Sequence, residues 1–355
     1  MPPAQSPQLV IPFAACAGDS CLQAMKSQPA QNLKNLGKLL QGMKLVDTSA
    51  GEALSLSTPH ERVLAKALGL NDTLDGLIPW AALEAVEKGL ATGKAWAFIT
   101  PCHWTMGREH ATMTDPAALG MTPEQSQTLL AAMQPYFETE GITLHYAAPE
   151  RWLAEGDIFR HLATASLDRV LGRNVDPWLP GAKTGDGRRA GQLQASPAPF
   201  TDERGSVPPK AREATSVGAI SLRRLQNEMQ MLLYTHPLND QRGEERLRPV
   251  NSFWISGTGA LSEPAPTSQA RVTAPRTLAQ AAFTDDWTAY AQAWTQLDEG
   301  DIANLLAQQN TGQTVRLSLC GERNAQTFET APQGFFSRIT SLLSPASPLA
   351  VLELL

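Results

Sequence analysis

Short apolar runs closed by proline or glycine alternate along this chain with amphipathic stretches that carry helix-capping signatures, and that alternation restricts the fold most. Run 9–14, Leu-Val-Ile-Pro-Phe-Ala, has the length of a buried strand. Run 95–100 ends at Pro101 and delivers Cys102, His103 and Trp104 to a strand end. Runs 142–146, 252–256 and 315–320 read as further strands. Between them, Leu33, Leu36, Leu39, Leu40 and Met43 recur at helical spacing over 31–43. Thr58-Pro59-His60-Glu61 and Thr122-Pro123-Glu124-Gln125 each set a hydroxyl cap, a proline and a capping-box partner in order. Helices are therefore expected to 68, closed by Gly69, and to about 138. Two more are expected over 221–235, stopped by His236-Pro237, and over 285–297. Strands alternating with helices predict an α/β fold with a mostly parallel central sheet flanked by helices.

The stretch 181–218 breaks the pattern. Its few large apolar residues, Leu193, Phe200, Val207 and Val217, show no period and cannot repay the entropy of ordering, so a disordered insertion is expected. Arg188, Arg189, Arg204 and Arg212 could touch an anion, but nothing in the sequence positions them. The expected organisation is an N-terminal α/β segment over residues 1–180, a flexible insertion over 181–218, and a C-terminal segment over 219–355 that completes the same domain. With 355 residues, 42% of them hydrophobic and 18% charged, the chain can bury a sizeable core. A net charge of −6 gives no reason to expect nucleic acid or an anionic membrane as partner. No run approaches the ~20 apolar residues that span a bilayer. Cys16, Cys21, Cys102 and Cys320 make neither a C-x-x-C pair nor a disulfide framework, which fits a reduced cytoplasmic location. The Phe13–Cys16 stretch loosely matches a lipoprotein cleavage site, yet residues 1–8 lack the Lys or Arg of a signal peptide.

Polar signal concentrates over 222–259. Leu222, Leu225, Met229 and Leu232 form one helical stripe, and Arg223, Asn227, Gln230 and Tyr234 another. The second stripe is either a solvated face or the lining of a cleft; it uses groups that hydrogen-bond neutrally when buried. His236, Asn239, Asp240 and Arg242 follow within seven positions and could bind a phosphate or carboxylate. In that reading Arg242 is the bidentate partner, and its removal abolishes anion binding with the fold intact. Asn239 and Asp240 serve equally well as turn formers. Asn251, Trp254, Ser256, Gly257 and Gly259 extend the candidate site, the two glycines as a strand-end turn able to cradle an anion. His103, Arg169 and Arg173 are further candidates, with a solvated helix end as the plain alternative for the arginines. Trp152, Trp178, Trp254, Trp287 and Trp294 read most simply as core or interface residues. Cys102 and His103 do not make a nucleophile pair, because strand neighbours face opposite ways.

The spacing His236-Pro237-x-Asn239-x-x-Arg242, then Pro249-x-Asn251-x-x-Trp254-x-x-Gly257-x-Gly259, resembles a stretch of the archaeal-type cofactor-independent phosphoglycerate mutases of the alkaline-phosphatase-like superfamily. Over most of the chain outside 181–218, Pro59-His60-Glu61-Arg62, Thr100-Pro101-Cys102-His103-Trp104, Asp115–Leu119 and Arg151-Trp152-Leu153 resemble bacterial phosphoglycerate-mutase-like and RpfE-type regulatory proteins. The resemblance implies an alkaline-phosphatase-like fold. For an active mutase or phosphatase it also implies a Ser or Thr nucleophile and two divalent metals such as Mn²⁺ or Mg²⁺, held by Asp and His. A first strand of such a mutase runs into an Asp-Gly metal motif, whereas this one runs into Pro12-Phe13-Ala14-Ala15. No cluster of metal ligands is recognisable: His103 and His110 stand alone, and His145 sits in an expected strand. The expectation is a protein that binds a phosphorylated metabolite or regulates a partner, with no metal or cofactor. The alternatives are a mutase with divergent ligands and a protein–protein interaction module.

Overall fold

The computed structural model describes residues 6–26, 33–72, 74–90, 93–108, 110–180, 209–261, 271–331 and 348–355, the side chains of 209–217 excepted. In chain order the elements are β1 (Gln8–Ile11), α1 (Asp19–Lys26), α2 (Lys34–Gln41), β2 (Met43–Ala50), α3 (Pro59–Leu68), α4 (Trp80–Glu87) and β3 (Ala95–Cys102). There follow β4 (Trp104–Met106), β5 (Ala111–Met113), α5 (Pro123–Thr139), β6 (Thr143–Ala148), β7 (Arg151–Glu155), α6 (Pro209–Tyr234), α7 (Pro237–Glu244) and β8 (Ser252–Ala260). The last are β9 (Val272–Thr273), α8 (Thr277–Phe283), α9 (Trp287–Leu297), α10 (Ala303–Asn310), β10 (Arg316–Cys320), β11 (Asn324–Thr330) and α11 (Pro348–Leu352). The expected insertion lies outside the described residues up to 208; beyond that point α6 begins at Pro209, ahead of the expected start at 221.

The chain divides into two compact units that interleave in sequence. One is Met1–Ala53, Thr58–Gly69 and Thr267–Leu355; the other is Leu54–Ser57 and Leu70–Pro266.

In the first unit a five-stranded sheet runs β2-β11-β10-β1-β9. β1 pairs in parallel with both β10 and β9, while β10–β11 and β11–β2 are antiparallel. Alternation along β1 sends Leu9 and Ile11 into a core shared with Cys21, Leu36, Leu39, Tyr290 and Trp294. Val10 points the other way, onto Val63 of α3, Cys320 and Ala325. The capping box expected at Thr58 is present, with Glu61 N–H on the Thr58 hydroxyl, and α3 ends on Gly69 in the left-handed region at φ 73°. β2 was not expected from the sequence. It is an edge strand with Leu45 and Val46 exposed, so its apolar residues follow no buried period.

In the second unit β6-β7-β3-β8 form a wholly antiparallel sheet, beside a β4–β5 ribbon. Phe137, Leu129 and Met133 of α5 and Leu222, Leu225, Met229 and Leu233 of α6 cover one face, against Ala97, Ile99, Trp152, Phe253 and Ile255. A mostly parallel central sheet is therefore not what forms: the first sheet is mixed and the second antiparallel. The cause lies in the connections. Pro149–Glu150 between β6 and β7, and residues 321–323 between β10 and β11, are too short for a parallel crossover, which needs a dozen residues or more. No helix among the described residues is long and apolar enough to cross a membrane.

Candidate functional site

The polar segment 222–259 lies wholly in the second unit, and its side chains can be followed one by one. On α6 the buried polar group is Gln226, whose amide donates to the Phe253 carbonyl at 2.9 Å. Arg223, Asn227 and Tyr234 turn to solvent, Tyr234 with 83% of its surface exposed. Gln230 of the same stripe is half-buried, its amide donating to Ser252 Oγ at 3.4 Å.

The turn after α6 works by capping and clamping. His236 is the N-cap of α7, its Nδ1 accepting the Leu238 N–H at 3.2 Å, with Pro237 in the first helical position. Asp240 is exposed in the first turn, where a carboxylate suits the helix dipole. Asn239 does more. Its Nδ2 donates to the carbonyls of Leu233 and Val250 at 2.7 and 2.8 Å, and its Oδ1 accepts the Val250 N–H at 2.9 Å. One carboxamide thus ties the end of α6 to the entry of β8. Asn251 repeats the device, pairing with both the N–H and the carbonyl of Trp104 at 2.7 and 2.9 Å. Beside it, His103 Nδ1 meets the Pro249 carbonyl at 2.9 Å.

Arg242 is 0% exposed. Its Nε donates to the Arg248 carbonyl at 2.9 Å, Nη1 to Gln125 Oε1 at 2.6 Å and Nη2 to the Leu119 carbonyl at 2.6 Å. Burial pulls its pKa below the usual guanidinium range, opposed by the charge of Glu245. The guanidinium fork expected to grip an anion is spent on carbonyls and an amide, so removing it cannot leave the fold untouched.

The two glycines also have structural work. Between the pairs Trp96–Gly259 and Phe98–Ser256, β8 carries two residues against one of β3, a bulge. Gly257 sits there at φ 62°, and a Cβ on it would stand 2.8 Å from the Phe98 ring. A Cβ on Gly259, at φ 137°, would stand 3.1 Å from Pro79. The glycines therefore let β8 pass close to β3 and the start of α4, in place of the anion cradle read from sequence. Thr258 between them is fully buried and donates to the Leu162 carbonyl at 2.6 Å, and Ser256 is buried at the bulge.

Trp254 is buried with its indole N–H on the Ala165 carbonyl at 3.1 Å. With Pro180, Leu222, Arg223, Gln226 and Ile255 it lines a cavity of about 10 Å³, room for about one water. Arg169 is buried rather than at a solvated end: Nη2 donates to the Ser57 carbonyl at 2.9 Å and the guanidinium lies 5.9 Å from the Trp178 ring centre. Arg173 is exposed. Trp152 and Trp294 are fully buried core residues.

Among the described residues no three of His, Cys, Asp and Glu stand together in a way that could hold a metal ion. Among the described residues the two-metal set implied by the resemblance finds no fit: just after β1 the chain runs through Pro12-Phe13-Ala14-Ala15 and offers no carboxylate there. What the sequence reading missed there is a pair of thiols, Cys16 and Cys21. The available signal was their spacing just after the first buried strand.

No known protein family matches this chain by sequence, and no curated protein does. Among solved structures it is similar to a cofactor-independent phosphoglycerate mutase from Thermoplasma acidophilum, at 13% identity over 98% of this chain and 95% of that one, with a TM-score of 0.34. It is also similar to the PH0037 protein from Pyrococcus horikoshii, at 12% identity over 92% of this chain and 88% of that one, with a TM-score of 0.41. Both likenesses are weak and carry no functional conclusion.

Proposed function

We propose that this chain is a binding or regulatory protein with mutase-like sequence motifs, and that it does not run two-metal phosphoryl transfer. The observation that carries this is the use of the motif itself. Asn239, Arg242 and Asn251, three of the residues on which the resemblance rests, each spend their polar atoms on backbone or amide groups of their own unit. A motif that closes turns and staples strands reports a way of folding. It supplies no group to activate a nucleophile or steady a leaving oxygen. The cavity beside Arg223 and Trp254 holds about one water, far below the ~300 Å³ of an ordinary ligand pocket, so that cavity does not itself enclose a phosphorylated metabolite.

The test is a coupled assay of 3-phosphoglycerate to 2-phosphoglycerate conversion on purified protein, with and without Mn²⁺, alongside titration of 3-phosphoglycerate followed by tryptophan fluorescence. The expected result is no turnover in either condition. Turnover that appears with Mn²⁺ and disappears with chelator would establish the enzyme. A saturable fluorescence change without turnover would restore the metabolite-binding reading.

A further inference from the structure

The first unit carries a separate cluster, outside the polar segment 222–259, at the carboxyl end of β1. Reactive and binding groups in sheets with parallel strands collect beyond such ends, and β1 lies there between its two parallel partners. Past Pro12 the chain turns through Phe13 at φ 54°, a conformation that residues with a Cβ rarely adopt. The Phe13 ring is held against Phe283 at 4.9 Å and His60 at 5.8 Å between centres. Its carbonyl accepts a 2.7 Å hydrogen bond from the buried hydroxyl of Tyr290. Backbone strain held in place by packing is a recognised mark of functional sites.

Two thiols meet beside it. The Cys16 N–H donates to Cys21 Sγ at 3.2 Å, and each thiol shifts the titration of the other. Tyr290 reaches both. Cys21 lies in the first turn of α1, an eight-residue helix, where free N–H groups favour a thiolate. The bonds from Cys16 are the largest influence on Cys21 and bring it down to about 7, against burial and the charge of Glu322. Donating the shared proton, together with burial, pushes the Cys16 thiol far up. As pH rises through about 7 the pair goes from two protons to one, and the one that remains is on Cys16. Exposure divides the roles, for Cys21 is 2% exposed while Cys16 is only half-buried.

We propose that Cys16 and Cys21 form a thiol–disulfide exchange site for small disulfides, with Cys16 the attacking sulfur and Cys21 first its base and then its resolving thiol. In the first step Cys16 Sγ attacks one sulfur of the incoming disulfide while its proton passes to Cys21. A mixed disulfide forms on Cys16, and one small thiolate leaves. In the second step Cys21 Sγ attacks Cys16 Sγ, its proton goes to the departing sulfur, and a small thiol leaves. The two protein thiols are oxidised to one disulfide, and the small disulfide is reduced to a thiolate and a thiol. Cys102 and Cys320 are fully buried, and burial raises both pKa values, so they stand as inert controls in the same chain.

The test treats the reduced full-length protein with oxidised glutathione at pH 7 and maps its cysteines by mass spectrometry over time. Wild type is expected to pass through a glutathione adduct on Cys16 to a Cys16–Cys21 disulfide, with Cys102 and Cys320 still reduced. Cys21→Ser is expected to stop at the adduct and to form it about tenfold more slowly, because the base is lost. In Cys16→Ser, Cys21 is expected to take up no glutathione. The wild-type arm decides by itself should a variant fail to fold. Absence of the Cys16–Cys21 disulfide, or oxidation of Cys102 or Cys320 as fast as Cys16, overturns the proposal.

Discussion

Asn239 is the clearest case of a side chain whose value lies in three bonds at once. Replacing it with Ala removes three hydrogen bonds and leaves the carbonyl and N–H of the fully buried Val250 without this partner, while the Leu233 carbonyl keeps the His236 N–H. A loss of about 2–3 kcal/mol in unfolding free energy is expected for Asn239→Ala. Asp240, exposed next to it, should change stability by only about 0.5 kcal/mol on replacement by Asn. Denaturant titration of the two variants measures both, and equal stabilities would contradict the assignment. The thiols give a different residue-scale test. Because Cys21 is brought down to about 7 from the ordinary thiol value, the pair exposes its first thiolate as pH rises through about 7. Alkylation of Cys16 by iodoacetamide should climb over that range, as Cys21 becomes able to take its proton. A midpoint near the ordinary free thiol, about 8.5, would show that the two sulfurs do not share a proton.

At the scale of elements, capping chemistry was the most legible feature of the sequence. Thr58 with Glu61 and Thr122 with Gln125 name their helices because a cap is a local event, settled within four residues. Strand direction was not legible. The runs at 95–100 and 142–146 became β3 and β6, but whether neighbours run parallel depends on connections of two or three residues, and those were judged by the alternation of elements. The candidate site was legible as a dense segment, whereas the partners of its side chains were not. An Asn that clamps backbone and an Asn that holds a ligand look alike in sequence; only the partner distinguishes them. The glycines of β8 belong to the same lesson. Gly257→Ala would place a methyl 2.8 Å from the Phe98 ring in a left-handed conformation, and a loss of about 2 kcal/mol or more is expected in thermal or denaturant unfolding. An unchanged midpoint would mean that the bulge does not need glycine.

For the whole molecule, the interleaving of the two units sets what local signals can reveal. β1 near the start of the chain pairs with β10 some three hundred residues later, and no run of ten or twenty residues announces such a partner. Residues 236–259, which carry the resemblance to phosphoglycerate mutases, lie in one unit, where Asn239, Arg242 and Asn251 close turns and staple strands. Arg242 tests this most directly, since the anion-binding and the structural readings of the motif diverge there. The measurement is the urea unfolding midpoint of Arg242→Ala against wild type, with and without 3-phosphoglycerate. Three lost hydrogen bonds and the space left by a fully buried side chain should lower stability by about 3–5 kcal/mol, with no effect of 3-phosphoglycerate on either protein. A variant as stable as wild type, with only the wild type stabilised by 3-phosphoglycerate, would contradict the structural reading and return Arg242 to an anion site.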